Sequence, residues 1–232
     1  MGEDKMRKKL NIVKIPIVIC TMMLLLCGCS LFVTDKDKFY MDKNLDYSLS
    51  RIDIDKSGKD IVIPAKVGDI AVWRIYLADP YYSKIDSLDV SKVKDLESFY
   101  IKLFGKGSTS KLKELDFSMN NKLRSVHLSD TESLYKLVLN KNCESISLYN
   151  TAVKKLDLRV LKNAKYITYV NGPIEELDIS KNANLEYLTI TNCKVKSLDV
   201  SKNPKLKKIT VDEGTQIIGL TNAQIEYNKR NE

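Results

Sequence analysis

Between residues 85 and 211 the chain repeats one arrangement of apolar and polar positions. Its clearest copy is apolar at Val195, Leu198 and Val200, then at Leu206, Ile209 and Val211, with polar residues between. The middle apolar residue of each first half serves as an anchor: Leu88, Leu115, Leu137, Leu156, Leu177 and Leu198, spaced 27, 22, 19, 21 and 21 residues apart. Three residues before each anchor stands Ile85, Leu112, Leu134, Val153, Ile174 or Val195. Two residues after it stands Val90, Phe117, Leu139, Leu158, Ile179 or Val200. A second set of apolar columns follows in each unit, from Leu96-Phe99-Ile101 to Leu206-Ile209-Val211.

Each unit is therefore two half-turns of the form LxxLxL. The LxL step has period two, which predicts a short strand showing alternate residues to the interior and to solvent. A helix would instead set the Asp that follows most anchors beside the core. Coils stacked ~4.8 Å apart would bury each column against the same column above and below. The pattern predicts a mainly β solenoid of about six to seven short coils, each with two short strands.

Polar residues mark the bends. Five positions after the anchor stand Asn120, Asn142, Asn182 and Asn203, with Val93 and Leu161 as exceptions. In the second half the same offset gives Thr131, Thr151, Gly172, Cys193 and Gly214. Asn, Thr or Cys turned inward can bond the backbone groups that a bend leaves unpaired. With its LxxLxLxxN wording the chain resembles the leucine-rich repeat family over residues 85–211. The nested half-repeat and the LDVSKN phrase resemble short bacterial surface-protein repeats. Val93, Leu161 and Ala164 depart from the pattern, so the fourth coil is expected to be irregular.

The ends read differently. Lys5, Arg7, Lys8, Lys9 and Lys14 precede an apolar run from Ile15 to Leu26. That run is short for a membrane span and has the layout of a secretion signal. Leu26-Cys27-Gly28-Cys29 resembles the bacterial lipobox, which implies a signal peptide over 1–28 and a lipid on Cys29. Residues 29–46 are polar and charged and are expected to form a tether. Residues 47–84 are expected to form an N-terminal β-hairpin cap, with strands either side of Asp55-Lys-Ser-Gly58 and a further half-turn at Val72 to Leu77. Repeats then fill 85–214, and 215–232 are expected as a C-terminal cap and polar tail.

The formal charge is +8 over the chain. The first 28 residues hold five Lys/Arg and two Asp/Glu, leaving +5 for the remainder. Lysines interleaved with acids in an exported chain argue against nucleic acid as a partner. Cys143 falls in an apolar column and Cys193 in a bend column two coils on, so no disulfide is expected between them. With no metal spacing and no nucleophile or phosphate-loop motif, neither cofactor, metal nor catalysis is expected.

Two solvent rows remain as candidate surfaces. After the anchors stand Asp89, Asp116, Asp157, Asp178 and Asp199, interrupted by Val138. A carboxylate row offers oxygen ligands to Ca²⁺ or to a cationic partner. The plainer reading is repeat grammar, with Ser pairing to the Asp and Lys92, Lys181 and Lys202 screening it. The second half-turn exposes Tyr100, His127, Ser147, Thr168, Thr189 and Thr210, beside Ser125, Ser145, and Tyr166 and Tyr187 one coil apart. That strip could stack on sugars or meet a partner protein; the plainer reading is the β-propensity of an exposed strand. The expected function is that of a lipid-anchored, extracytoplasmic binding protein, monomeric, held to the membrane through Cys29 and recognising a protein or glycan. The alternative is a passive spacer of the cell envelope.

Overall fold

The computed structural model describes residues 32–35, 38–78, 80–103, 111–219 and 222–229. The expected signal peptide and the lipidation residue Cys29 lie outside these. One long sheet runs through the molecule. Its strands, in spatial order, are β1 (Phe32–Asp35), β2 (Phe39–Asp42), β3 (Ser48–Ile52), β7 (Arg74–Ala78), β9 (Ser98–Lys102), β11 (Ser125–Ser129), β13 (Ser145–Tyr149), β14 (Tyr166–Val170), β15 (Tyr187–Thr191), β17 (Lys208–Asp212) and β19 (Gln224–Asn228). From β3 onward every neighbour is parallel, and in the repeats each strand pairs with the same strand of the next coil.

That in-register stacking follows from the apolar columns. Every columned residue is buried except Leu177, which is partly buried and packed on the core. The leucine-rich-repeat solenoid that the periodicity predicts is thus the fold observed. On the opposite side lie shorter strands: β4 (Asp60–Val62) beside β8 (Ser87–Asp89), β10 (Glu114–Asp116) beside β12 (Lys136–Val138), and β16 (Ser197–Asp199) beside β18 (Gln216–Ile218). Two-residue strands β5 (Lys66–Val67) and β6 (Ile70–Ala71) pair antiparallel between β4 and β7 in the chain. The coils of Leu156 and Leu177 form no strand there. Pro173, which has no N–H to donate, stands at the start of the second of these segments.

The bends are held by inward amides. Asn120 donates through Nδ2 to Val90 O and Val93 O of the preceding coil, at 2.9 and 2.8 Å. Asn182 reaches Leu158 O and Leu161 O at 2.9 and 2.7 Å, and Asn203 reaches Ile179 O and Asn182 O, both at 2.9 Å. In the third coil the buried amide is Asn140 rather than the expected Asn142. That coil's bend is two residues shorter, so the residue three before Cys143 takes the place that Asn182 holds before Leu185. Asn142 instead donates to Asn121 O at the surface.

A further row was not anticipated. Each main strand β11, β13, β14 and β15 is followed by a residue in the left-handed region: Asp130, Asn150, Asn171 and Asn192, with φ between 52° and 60°. Asn and Asp accept that conformation more readily than other side-chain-bearing residues. Their side chains also link the coils: Asn171 Nδ2 donates to Asn150 Oδ1 at 2.9 Å, and Asn150 in turn donates to Asp130.

The N-terminal cap differs from expectation. The strands around Asp55 to Gly58 do not pair with each other; β3 joins the main sheet and β4 the opposite side, separated by a helical turn, α1 (Ile54–Ser57). Antiparallel pairing occurs earlier, in β1–β2–β3. Residues 32–42, expected as tether, therefore supply two strands, and Met41 is fully buried. The reason is a short alternation at Phe39-Tyr-Met41 that turns Met41 into the core and packs Phe39 partly against it. Gln224–Asn228, expected in a polar tail, adds the last strand of the sheet.

Candidate functional site

The exposed face of the main sheet carries three parallel rows of outward side chains. Strand register fixes them. The first row runs Arg74, Ser98, Ser125, Ser145, Tyr166, Tyr187, Lys208. The middle row runs Tyr76, Tyr100, His127, Ser147, Thr168, Thr189, Thr210. Tyr149 stands in the third row, opposite Ser129 and Val170. All the residues expected in the binding strip are brought together on this one surface.

The aromatic residues form two stacks. Tyr76 and Tyr100 lie 4.4 Å apart at 13°, and Tyr100 and His127 4.4 Å apart at 7°. Tyr149 leans onto His127 at 5.4 Å and 37°. Separately, Tyr166 and Tyr187 stack at 5.4 Å and 12°, with Lys207 Nζ 5.8 Å from the Tyr187 centroid. Tyr166 and Tyr187 are 45% and 40% exposed. These separations approximate the strand spacing, so the rings stand across the row with their faces turned to one another. Within a stack, therefore, the surface offers ring edges and hydroxyls rather than flat platforms. Of the end rings, His127 is met by Tyr149 and Tyr187 by Lys207, so among the described residues the outer faces of Tyr76 and Tyr166 are those without a further ring or cation partner.

The sequence pattern places Tyr100, His127, Tyr166 and Tyr187 on this strip but not Tyr76, which falls in the expected cap, or Tyr149, which stands in a different row. His127 is half-buried, and burial, aided by the charge of Lys102, holds its imidazole below the usual histidine range. Burial likewise raises the Tyr100 phenol.

A charge row borders this face. The residue before each main strand from β9 to β17 is Glu97, Arg124, Glu144, Lys165, Glu186 and Lys207 in turn, alternating in sign. Glu144 accepts from both Arg124 and Lys165, the latter at 2.9 Å, and Glu186 accepts from Lys207 at 2.5 Å. The hydrogen bond from Lys165 is the main reason the Glu144 carboxyl lies below the usual carboxylate range. Each such pair is exposed and worth little alone. The alternation matters for coil order, because pairing a coil with its second neighbour would set like charges together.

On the opposite side the Asp residues serve the backbone. Asp89 Oδ1 accepts from Ser91 N at 2.7 Å, Asp116 from Ser118 N at 2.7 Å, Asp157 from Arg159 N at 3.1 Å, Asp178 from Ser180 N at 3.0 Å and Asp199 from Ser201 N at 2.9 Å. Such Asx turns start each bend. They are also the first cause of the lowered carboxyls at Asp89 and Asp199. At Asp157 the Arg159 side chain does more, bonding it at 2.9 Å. In the paired short strands Asp89 lies opposite Val62, Asp116 opposite Val138 and Asp199 opposite Ile218. Among the described residues no group of three or more His, Cys, Asp or Glu side chains is placed to hold a metal ion.

Cys143 and Cys193 are buried and not bonded to each other. Burial pushes the Cys143 thiol up to about 12, which removes it from nucleophilic chemistry at neutral pH. Cys193 sits in its bend column with Sγ 3.2 Å from Thr191 O.

No protein-family model matches the chain, and no curated protein matches it. Among solved structures it is similar to the functional domain of InlJ from Listeria monocytogenes, described as including a cysteine ladder, at 15% identity and a TM-score of 0.29. That likeness covers 77% of this chain and 52% of the other, so the chain spans about half the length of the InlJ domain. A leucine-rich-repeat protein of Leptospira interrogans is similar at 13% identity and a TM-score of 0.32, covering 72% of this chain and 71% of that one. The fold assignment rests on the strand ladder itself.

Proposed function

We propose that this chain is an exported, lipid-anchored leucine-rich-repeat protein that binds a macromolecular partner, protein or glycan, through the exposed face of its main sheet. Six aromatic rings on that face carry the reading. A solvated sheet needs no such rings, and residues such as Tyr166 and Tyr187 leave large apolar area in water unless a partner covers it. The chain is read as binding without chemistry of its own. The opposite face, where each Asp is committed to its own bend, is read as structural.

Export and anchoring rest on the sequence of residues 1–29. Capture from a detergent-solubilised envelope extract by the soluble Cys29→Ser form tests the binding claim. Saturable enrichment of one component, lost in Tyr166→Ala with Tyr187→Ala, supports it; enrichment that the double substitution leaves intact opposes it. Incorporation of a fatty-acid analogue that depends on Cys29 tests the anchor.

A further inference from the structure

The two aromatic stacks stop short of one another and leave a trough. In the first outward row Ser98, Ser125 and Ser145 stand on adjacent strands with small side chains. The trough spans two strand spacings, ~9.6 Å. The next residue in that row is Tyr166. Its far face is taken by Tyr187, which leaves the near face turned over Ser145. Tyr100 and His127 line one side with ring edges, being stacked on one another. Along the other side runs the charge row, where Glu144 is shared by Arg124 and Lys165.

We propose that this trough is a saccharide site, taking a neutral pyranose ring of a glycan against the open face of Tyr166 and over the hydroxyls of Ser145 and Ser125. The inference rests on the reading of this sheet face as the binding surface, and names its ligand class. Three observations favour a sugar over a peptide. First, β9, β11 and β13 are paired on both sides, so no strand edge is available to hydrogen-bond a peptide backbone. Second, the floor is a row of small hydroxyls, without the apolar pocket that anchors a partner's side chain. Third, the Glu144 carboxylate at the rim is already matched by two cations, which gives a neutral ring no desolvated charge to face. A carbohydrate ring meets these terms: an apolar face for Tyr166 and a rim of hydroxyls for the serines. The lowered His127 titration supports this, because the side wall stays uncharged at neutral pH.

His127 is the only histidine, so its imidazole proton signals report on this trough without overlap. The test titrates the Cys29→Ser chain with neutral oligosaccharides, namely chitotriose, cellotetraose and maltotetraose, and with a galacturonate tetramer as the anionic control. At least one neutral oligomer should shift the His127 signals saturably, and the uronate should not. Ser145→Leu fills the trough; it and Tyr166→Ala should each weaken binding about tenfold or more. Asp178→Asn, on the opposite side, should leave it unchanged. Absence of a saturable shift with all three neutral sugars overturns the proposal, as does a shift that Ser145→Leu leaves intact. Envelope capture that survives Ser145→Leu but fails in Tyr166→Ala with Tyr187→Ala would remove the saccharide site and keep the broader reading. Capture that neither changes would remove the broader reading instead.

Discussion

Tyr169 occupies the space that a side chain at Gly172 would need. A Cβ built on Gly172 would lie 2.2 Å from Tyr169 Cε1 and 2.4 Å from its hydroxyl. Tyr169 is 1% exposed and donates from its hydroxyl to Val153 O, so the ring cannot easily retreat. Gly172 is therefore glycine for reasons of volume. Gly172→Ala should cost about 1–3 kcal/mol as overpacking. In a Tyr169→Leu background the same change should cost much less, because the competing ring is gone. Chemical denaturation of the four proteins checks this, and costs that simply add would contradict it.

The inward amides give a second expectation. Asn182 donates to two carbonyls of the preceding coil, so Asn182→Ala should cost about 1–3 kcal/mol by leaving them unpaired. Asn182→Asp should be worse at neutral pH, since a carboxylate would face those carbonyls. Burial beside acceptors raises the folded-state titration of such an Asp above its unfolded value. Its deficit should therefore shrink as the pH falls and the protonated carboxyl becomes a donor. Urea unfolding at neutral and acid pH reads the difference. An equal deficit at both would contradict it.

His127 sets a pH window. Its folded-state titration lies below the ordinary 6.5, so the unfolded chain takes up the proton first as the pH drops. The stability held above that value declines as the pH falls through 6.5 toward the folded value. The lowered carboxyls of Glu144 and Glu186 act in the same sense but only below their ordinary 4.5. Between the two values the slope should belong largely to His127. Replacing it by Phe keeps an aromatic ring in the stack and should flatten melting temperature against pH there. A slope unchanged in His127→Phe would contradict the assignment.

Glu144 joins Arg124 and Lys165 across three coils. Glu144→Lys would place three cations in a row. A lower melting temperature is expected, recovered in part by added salt and in part by Arg124→Glu. Thermal melts across a salt series check this; a deficit indifferent to salt would point to packing instead.

How much of this was legible beforehand depends on what each feature needs. Apolar columns need only composition at fixed offsets, and residues such as Leu115, Val126 and Ile190 are buried as the pattern requires. The Asn column follows from the same offsets and slips only at Asn142, where a shorter bend moves the amide to Asn140. Features that depend on register across coils were only partly legible. Tyr100 and His127 fall in one column by offset alone, but Tyr76, 24 residues before Tyr100 and outside the repeats, joins them only once the strands are paired. The alternating charges become a row for the same reason. The early strands were hidden by brevity, since within 38–42 only Met41, fully buried, and Phe39, partly buried, meet the core.

The most direct test of the central claim is site-specific photocrosslinking in intact cells. A photoreactive residue at Thr189 reports on the main sheet face, and one at Ser180 reports on the opposite side. The account predicts a discrete adduct from Thr189, diminished by Tyr166→Ala with Tyr187→Ala, and none from Ser180. An adduct from Ser180 alone, or none from Thr189 in cells that display the protein, would contradict it.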